Sequence, residues 1–218
     1  MIVGSILLAL GLDAWWAGRQ DRAFEQEALA RLEVEFRENL GRVETSDRPI
    51  ARLLALHEMM QALSSAVDSA AIPDSLLAGL IGSGTFDRVT PVLDGLVQSG
   101  RWELIRSSEV REAVAWWERG HAQVEEREEF AREFVETRLR PALAVRGDIS
   151  PLMADYRPGR STELTGSTVL MIDAELKALV AEKYNRDRQN LEWRRIVHGA
   201  LENVLEAISL ARDSRALN

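Results

Sequence analysis

Residues 19–45 read RQDRAFEQEALARLEVEFRENLGRVET. This stretch decides the fold. It holds no proline and one glycine, Gly41, and Leu29, Leu32, Phe36, Leu40 and Val43 recur at steps of three and four. An α-helix turns once every ~3.6 residues, so these positions share one face. Arg31, Glu33, Glu35, Arg37 and Glu38 fall between them and describe a solvated face. The spacing predicts an amphipathic helix whose apolar stripe is covered by other helices.

Upstream, residues 1–18 read MIVGSILLALGLDAWWAG and continue the helix without a break. Residues 1–12 carry no charge, Asp13 follows, and then come Trp15 and Trp16. At ~1.5 Å per residue, residues 1–16 reach roughly 24 Å, against a hydrocarbon core of ~30 Å. The run is short for a span, yet it is apolar on all sides. It also places two indoles where tryptophans settle, at headgroup level, with Asp13 in reach of water. A signal peptide would need a basic segment ahead of the apolar run and a small-residue cleavage site. No Lys or Arg precedes Arg19, and the tryptophans crowd Ala17. We expect a membrane anchor over 1–18, with Asp13, Trp15 and Trp16 at the interface, a stalk helix over 19–45, and a helical bundle over 46–218. The competing reading is a soluble all-α protein whose first segment packs in the core or in a dimer interface.

Downstream, Ser46, Asp47 and Pro49 mark a turn and a new helix start. Ile50, Leu53, His57, Met60 and Val67 follow at spacings that predict its buried face. Asp74 or Ser75 caps a short helix over 76–81, which Gly82 and Gly84 stop. Thr90-Pro91 opens another over 92–98, and Ser99-Gly100 ends it. Gly100 is expected in the left-handed region, with Trp102, Leu104 and Ile105 turned inward and Ser107 capping a long helix over 108–139. In that helix Val110, Val114, Trp117, His121 and Val124 share a face, and Pro141 marks a kink. Ser150-Pro151 opens a brief helix, 156–168 is a loop, and the last helix covers 169–212. No alternating run between turn signals predicts a strand. The expected fold is all-α: an antiparallel helical bundle on a long N-terminal anchor and stalk, with no sheet.

Composition narrows the function. The net charge of −8 and pI near 5.1 disfavour nucleic acid as a partner. The absence of cysteine excludes disulfides, thiolate zinc sites and a cysteine nucleophile. His57, His121 and His198 are scattered. Glu125, Glu126, Glu128, Glu129 and Glu133 form the densest acidic run, but bundle metal sites need a Glu-x-x-His pair on each of two helices. Glu118 with His121 makes one such pair and has no second copy. With Arg127 and Arg132 interleaved, the run reads as a solvated face. Gly82-Ser83-Gly84-Thr85 lacks the lysine and preceding strand of a phosphate loop. No serine has nucleophile-elbow spacing. The chain therefore reads as a non-enzyme with no catalytic, cofactor or metal residues. An enzyme with an unrecognised carboxylate site is the alternative of another class. Trp116 and Trp117 cannot face one direction, so one packs inside. The alternative to an inward Trp102 is that Trp102 or Trp116 is exposed, which makes Trp102 and Trp116 the candidate patch for a protein partner or a second copy of the chain.

Two stretches carry a resemblance. The first is the apolar run over 6–16 with Asp13 and a tryptophan, then Arg19-Gln20-Asp21-Arg22 and the helix to Leu40. The second is 85–117, with Thr85, Leu96-x-x-Ser99-Gly100, Leu104-Ile105, Val110, Val114 and an aromatic pair. Together they resemble an uncharacterised bacterial family of single-span membrane proteins with a helical domain of unknown function, over about a third of the chain. The resemblance implies a membrane-anchored helical domain and brings no catalytic residues. Longer relatives carry a basic segment before the span, which this chain lacks. On that resemblance the domain is expected on the periplasmic side of the inner membrane. Counting Arg19, Arg22 and Arg31 after the span favours the inside.

Overall fold

The fold was established with a computed structural model that describes residues 2–45, 48–82, 85–156 and 164–216; the side chains of 2–11, 14, 48, 215 and 216 are outside that description. Ser46, Asp47, Gly84 and the middle of the expected 156–168 loop therefore lie outside the described residues. Helix makes up 82% of the structure. In chain order the elements are α1 (Ile2–Glu44), α2 (Arg48–Ser65), β1 (Ser69–Pro73), α3 (Asp74–Ile81), α4 (Pro91–Gln98), a 3₁₀ turn (Arg101–Leu104), α5 (Ser108–Phe134), a π turn (Val135–Leu139), α6 (Arg140–Arg146), α7 (Ser150–Asp155), β2 (Ser167–Met171) and α8 (Ala174–Ala216). They form two compact units: Met1–Arg42, Arg88–Arg119 and His198–Asn218 in the first, Val43–Asp87 and Gly120–Val197 in the second.

In the first unit the apolar stripe of α1 behaves as its spacing predicts. Leu29, Leu32 and Phe36 are buried, as are Val110, Val114 and Trp117 of α5 and Leu201, Val204 and Ile208 of α8 in the same unit. The Phe36 ring meets Trp117 edge-on, with centroids 5.0 Å apart and planes at 81°. The segment expected as a stalk over 19–45 is thus a packed member of this unit over much of its length. Polar side chains of α1 also pin irregular backbone. Buried Glu35 accepts from the amides of Val92 (2.6 Å) and Leu93 (3.1 Å). These are first-turn amides of α4, which no carbonyl inside that helix can satisfy. Burial raises the Glu35 carboxyl above its usual value; the two amides oppose this, while Asp94 and Glu38 add to it. Asn39 accepts from Val89 N (2.9 Å) and donates to Val89 O (2.7 Å). Glu25 accepts from the Arg106 amide (2.6 Å).

The corner after α4 also follows the sequence. Gly100 has φ +69°, a region where a Cβ is strained. Ser107 Oγ accepts from the Val110 amide at 3.2 Å and so caps α5. Ile105 is buried, whereas Trp102 is only half-buried.

The second unit corrects two expectations. Its core joins Leu56, Met59 and Leu63 of α2 to Leu77, Leu80 and Ile81 of α3, and to Val135, Leu139, Leu143, Leu170, Leu176 and Val180. The buried face of α2 is therefore Leu56, Met59 and Leu63; Ile50, His57 and Val67, expected inside, are exposed. The helix is apolar on two sides, so spacing alone selects neither. The second correction is a sheet. β1 pairs antiparallel with β2, from Ser69 opposite Met171 to Pro73 opposite Ser167. Residues expected in the long loop and at the start of the last helix form β2, and α8 begins only at Ala174. Thr168 and Leu170 point inward, but outward Val169 and Met171 are also apolar, so the strand has no alternating pattern to read.

Two backbone features shape this unit. The helix expected over 108–139 ends as α-helix at Phe134, and the chain takes a wider turn before Pro141. Proline has no N–H to give, and its ring crowds the carbonyl four residues back, so a locally wider turn relieves both problems. Gly147 sits against β2, where a Cβ would overlap the Val169 carbonyl and the Leu170 side chain. Asp74 accepts from Thr168 Oγ1 at 2.7 Å, fixing the start of α3 beside β2.

Candidate functional site

The expected interface residues stand exposed on α1. Leu12, Trp15 and Trp16 are 56%, 53% and 58% exposed, and Asp13 is exposed with them. The indoles of Trp15 and Trp16 neighbour each other at 6.4 Å, and the Arg19 guanidinium lies 5.6 Å from the Trp15 ring centre. The uncharged run before them is helical in backbone, while the side chains of 2–11 fall outside the described residues. Among the described residues no helix is long and apolar enough to cross a membrane.

The expected partner patch divides. Trp116 is 54% exposed on α5 with Arg119 over its ring, while its neighbour Trp117 is fully buried. Trp102 is half-buried in the 3₁₀ turn. Of the two patch residues, Trp116 has the exposure of a docking group.

The acidic run of α5 also divides. Glu125, Glu126, Glu129 and Glu133 are exposed, and Arg132 pairs with Glu129 at 2.8 Å. Glu128 turns inward, where it accepts from Arg194 and from the Phe86 amide at 2.9 Å. His121, on the same buried face, has Nε2 3.3 Å from the Phe86 carbonyl. Among the described residues no group of three or more His, Asp or Glu is placed to hold a metal ion.

One cluster in the second unit was not singled out in the sequence. Lys183 is fully buried and donates from Nζ to Asp187 Oδ2 at 2.5 Å; Arg52 Nε is 3.2 Å from the same oxygen. Burial pulls the Lys183 amine down to about 8, Asp187 resists, and Arg52 and Arg186 reinforce the shift. The available signal was modest: one of only two lysines in an arginine-rich chain, four residues before an aspartate. An amine with such a pKa can serve as a nucleophile when a substrate reaches it. A hollow of about 390 Å³ in this unit is lined by residues 144–150 and not by Lys183. There Arg146 is already engaged by Asp173 and Glu175. The Lys183 cluster therefore reads as a tie within the core.

That tie has a pH signature. Folded Lys183 releases its proton near pH 8 and the unfolded chain near 10.5, so between them the unfolded state binds more protons and stability rises with pH. Burial raises the Tyr156 hydroxyl above its usual value, which opposes the trend above pH 10. Urea midpoints taken from pH 7.5 to 9.5 should therefore rise, by roughly 1–3 kcal/mol in stability. Lys183→Met should flatten the profile. An equal rise in that variant assigns it to another group.

No protein-family model, curated protein or solved structure matches this chain.

Proposed function

We propose that the chain is a membrane-anchored helical interaction or sensing module that performs no catalysis. The observation that carries this reading is the contrast along one continuous helix. Leu29, Leu32 and Phe36 are buried in the first unit, while Leu12, Trp15 and Trp16 are more than half exposed. Apolar groups left open beside a charge-free run call for an apolar environment, and a bilayer supplies it with indoles at its surface. The buried carboxylates Glu25, Glu35 and Glu128 support the non-enzymatic part, because each is occupied by backbone amides. The resemblance to single-span bacterial proteins favours the inner membrane, with the domain on the periplasmic side and Trp116 open to a protein partner.

Deleting residues 1–18 should move the protein from the membrane fraction to the soluble fraction, with circular dichroism per residue nearly unchanged. If the truncated chain unfolds or aggregates, the segment belongs to a core or a dimer interface and the anchor is rejected. A topology reporter fused at the C-terminus reads the side of the membrane.

A further inference from the structure

We propose that arginines gathered just past the tryptophan pair form a collar that binds the phosphates of anionic phospholipid headgroups. The inference rests on the membrane-anchor reading and adds the lipid class to it. Arg19 and Arg22 follow Trp16 by about 4.5 Å and 9 Å along the helix axis. The headgroup layer extends roughly 5–7 Å beyond the hydrocarbon on each side, so both side chains start in or beside it.

Folding brings two more cations from a distant part of the chain to the next turn of α1, beside Asp21 and Phe24, about 7–12 Å past Trp16 along the helix axis. Glu25 holds the Arg106 amide across 81 positions of sequence. This places the Arg101 guanidinium 5.1 Å over the Phe24 ring and the Arg106 side chain 3.5 Å from Asp21. Of the nearby acids, Asp21 faces Arg106, Glu103 faces Arg111 at 3.8 Å and Glu27 pairs with Arg31, while buried Glu25 accepts from the Arg106 amide, which is neutral and does not cancel a carboxylate. Asp13 lies on the other side of the tryptophans and opposes the collar. Arg19, Arg22 and Arg101 remain exposed, and stacking on Trp15 and Phe24 leaves the charges of Arg19 and Arg101 intact. A guanidinium donates two parallel N–H groups to phosphate oxygens, and each surface arginine favours an anionic leaflet. The complementarity is local, since a chain of net charge −8 is otherwise repelled by such a surface.

The test reconstitutes the full chain in phosphatidylcholine vesicles carrying a trace of dansyl-labelled phosphatidylglycerol or dansyl-labelled phosphatidylcholine. Energy transfer from tryptophan reads which lipid gathers around the anchor. The expected result is roughly fivefold or greater enrichment of the anionic tracer, from about one arginine's attraction or more. It should fall in about 0.5 M salt. The double variant Arg22→Gln, Arg101→Gln should lose it, while Arg42→Gln, toward the far end of α1, should keep it. Circular dichroism checks that the variants are folded. Equal transfer from both tracers overturns the collar, as does enrichment that survives salt or the double substitution. Failure to enter either vesicle overturns the anchor and the collar together.

Discussion

Replacing Trp117 by alanine should lower the free energy of unfolding by about 3–5 kcal/mol. Trp116→Ala should change it by ~0.5 kcal/mol or less. The two residues are adjacent in sequence and equal in chemistry, so the contrast isolates burial. The Trp117 indole is fully buried and receives the Phe36 ring edge-on at 5.0 Å, within a core of large apolar side chains that cannot collapse into its volume. The Trp116 indole is more than half exposed, with Arg119 over it. Urea unfolding followed by circular dichroism reads both variants without relying on the removed fluorophore. Similar losses for the two would show that α5 is rotated from the orientation described. A small loss for Trp117→Ala would remove this indole from the core.

The same contrast explains which parts of the fold can be read from sequence. Positions governed by local physics are legible. Gly100 lies where the chain reverses after α4, and Ser107 stands three residues before the amide it caps. The stripes of α1 and of the first half of α5 are flanked by charges, so one face is clearly the inner one. α2 lacks that flank: Ile50 and Leu54 lie outside, Leu56 and Met59 inside, and the choice depends on α3 and β1 covering one side. β1 and β2 are illegible for a related reason. Their outward positions include Ala71, Val169 and Met171, and their pairing spans about a hundred residues, so neither alternation nor a hairpin turn announces them.

The candidate site divides along the same line. Exposure of Asp13, Trp15 and Trp16 follows from the run that precedes them. The approach of Arg101 and Arg106 does not, because it depends on Glu25 binding an amide far along the chain. Glu25, Glu35 and Glu128 sit in charged runs and look solvated in sequence. What buries them is a set of backbone amides that find no partner in helix or sheet. Each carboxylate satisfies such a donor where a hydrophobic side chain could not.

Glu128 shows how much depends on that arrangement. Glu128→Ala should lower stability by about 3–5 kcal/mol, since it leaves the buried Arg194 guanidinium without its counter-charge and the Phe86 amide without its acceptor. Glu129→Ala, one residue on and exposed, should lose ~0.5 kcal/mol or less. The double variant Glu128→Ala, Arg194→Met tests the cause. It removes the stranded charge but leaves the Phe86 amide unpaired, so it should be more stable than Glu128→Ala alone, with a residual loss of about 1–3 kcal/mol. Losses that simply add in a double-mutant cycle would show that the two side chains are not coupled. His121 supplies a local reading of the same event, because its Nε2 lies 3.3 Å from the Phe86 carbonyl. Once the Phe86 amide is released, the His121 ring resonances should shift in Glu128→Ala, while those of exposed His57 stay in place.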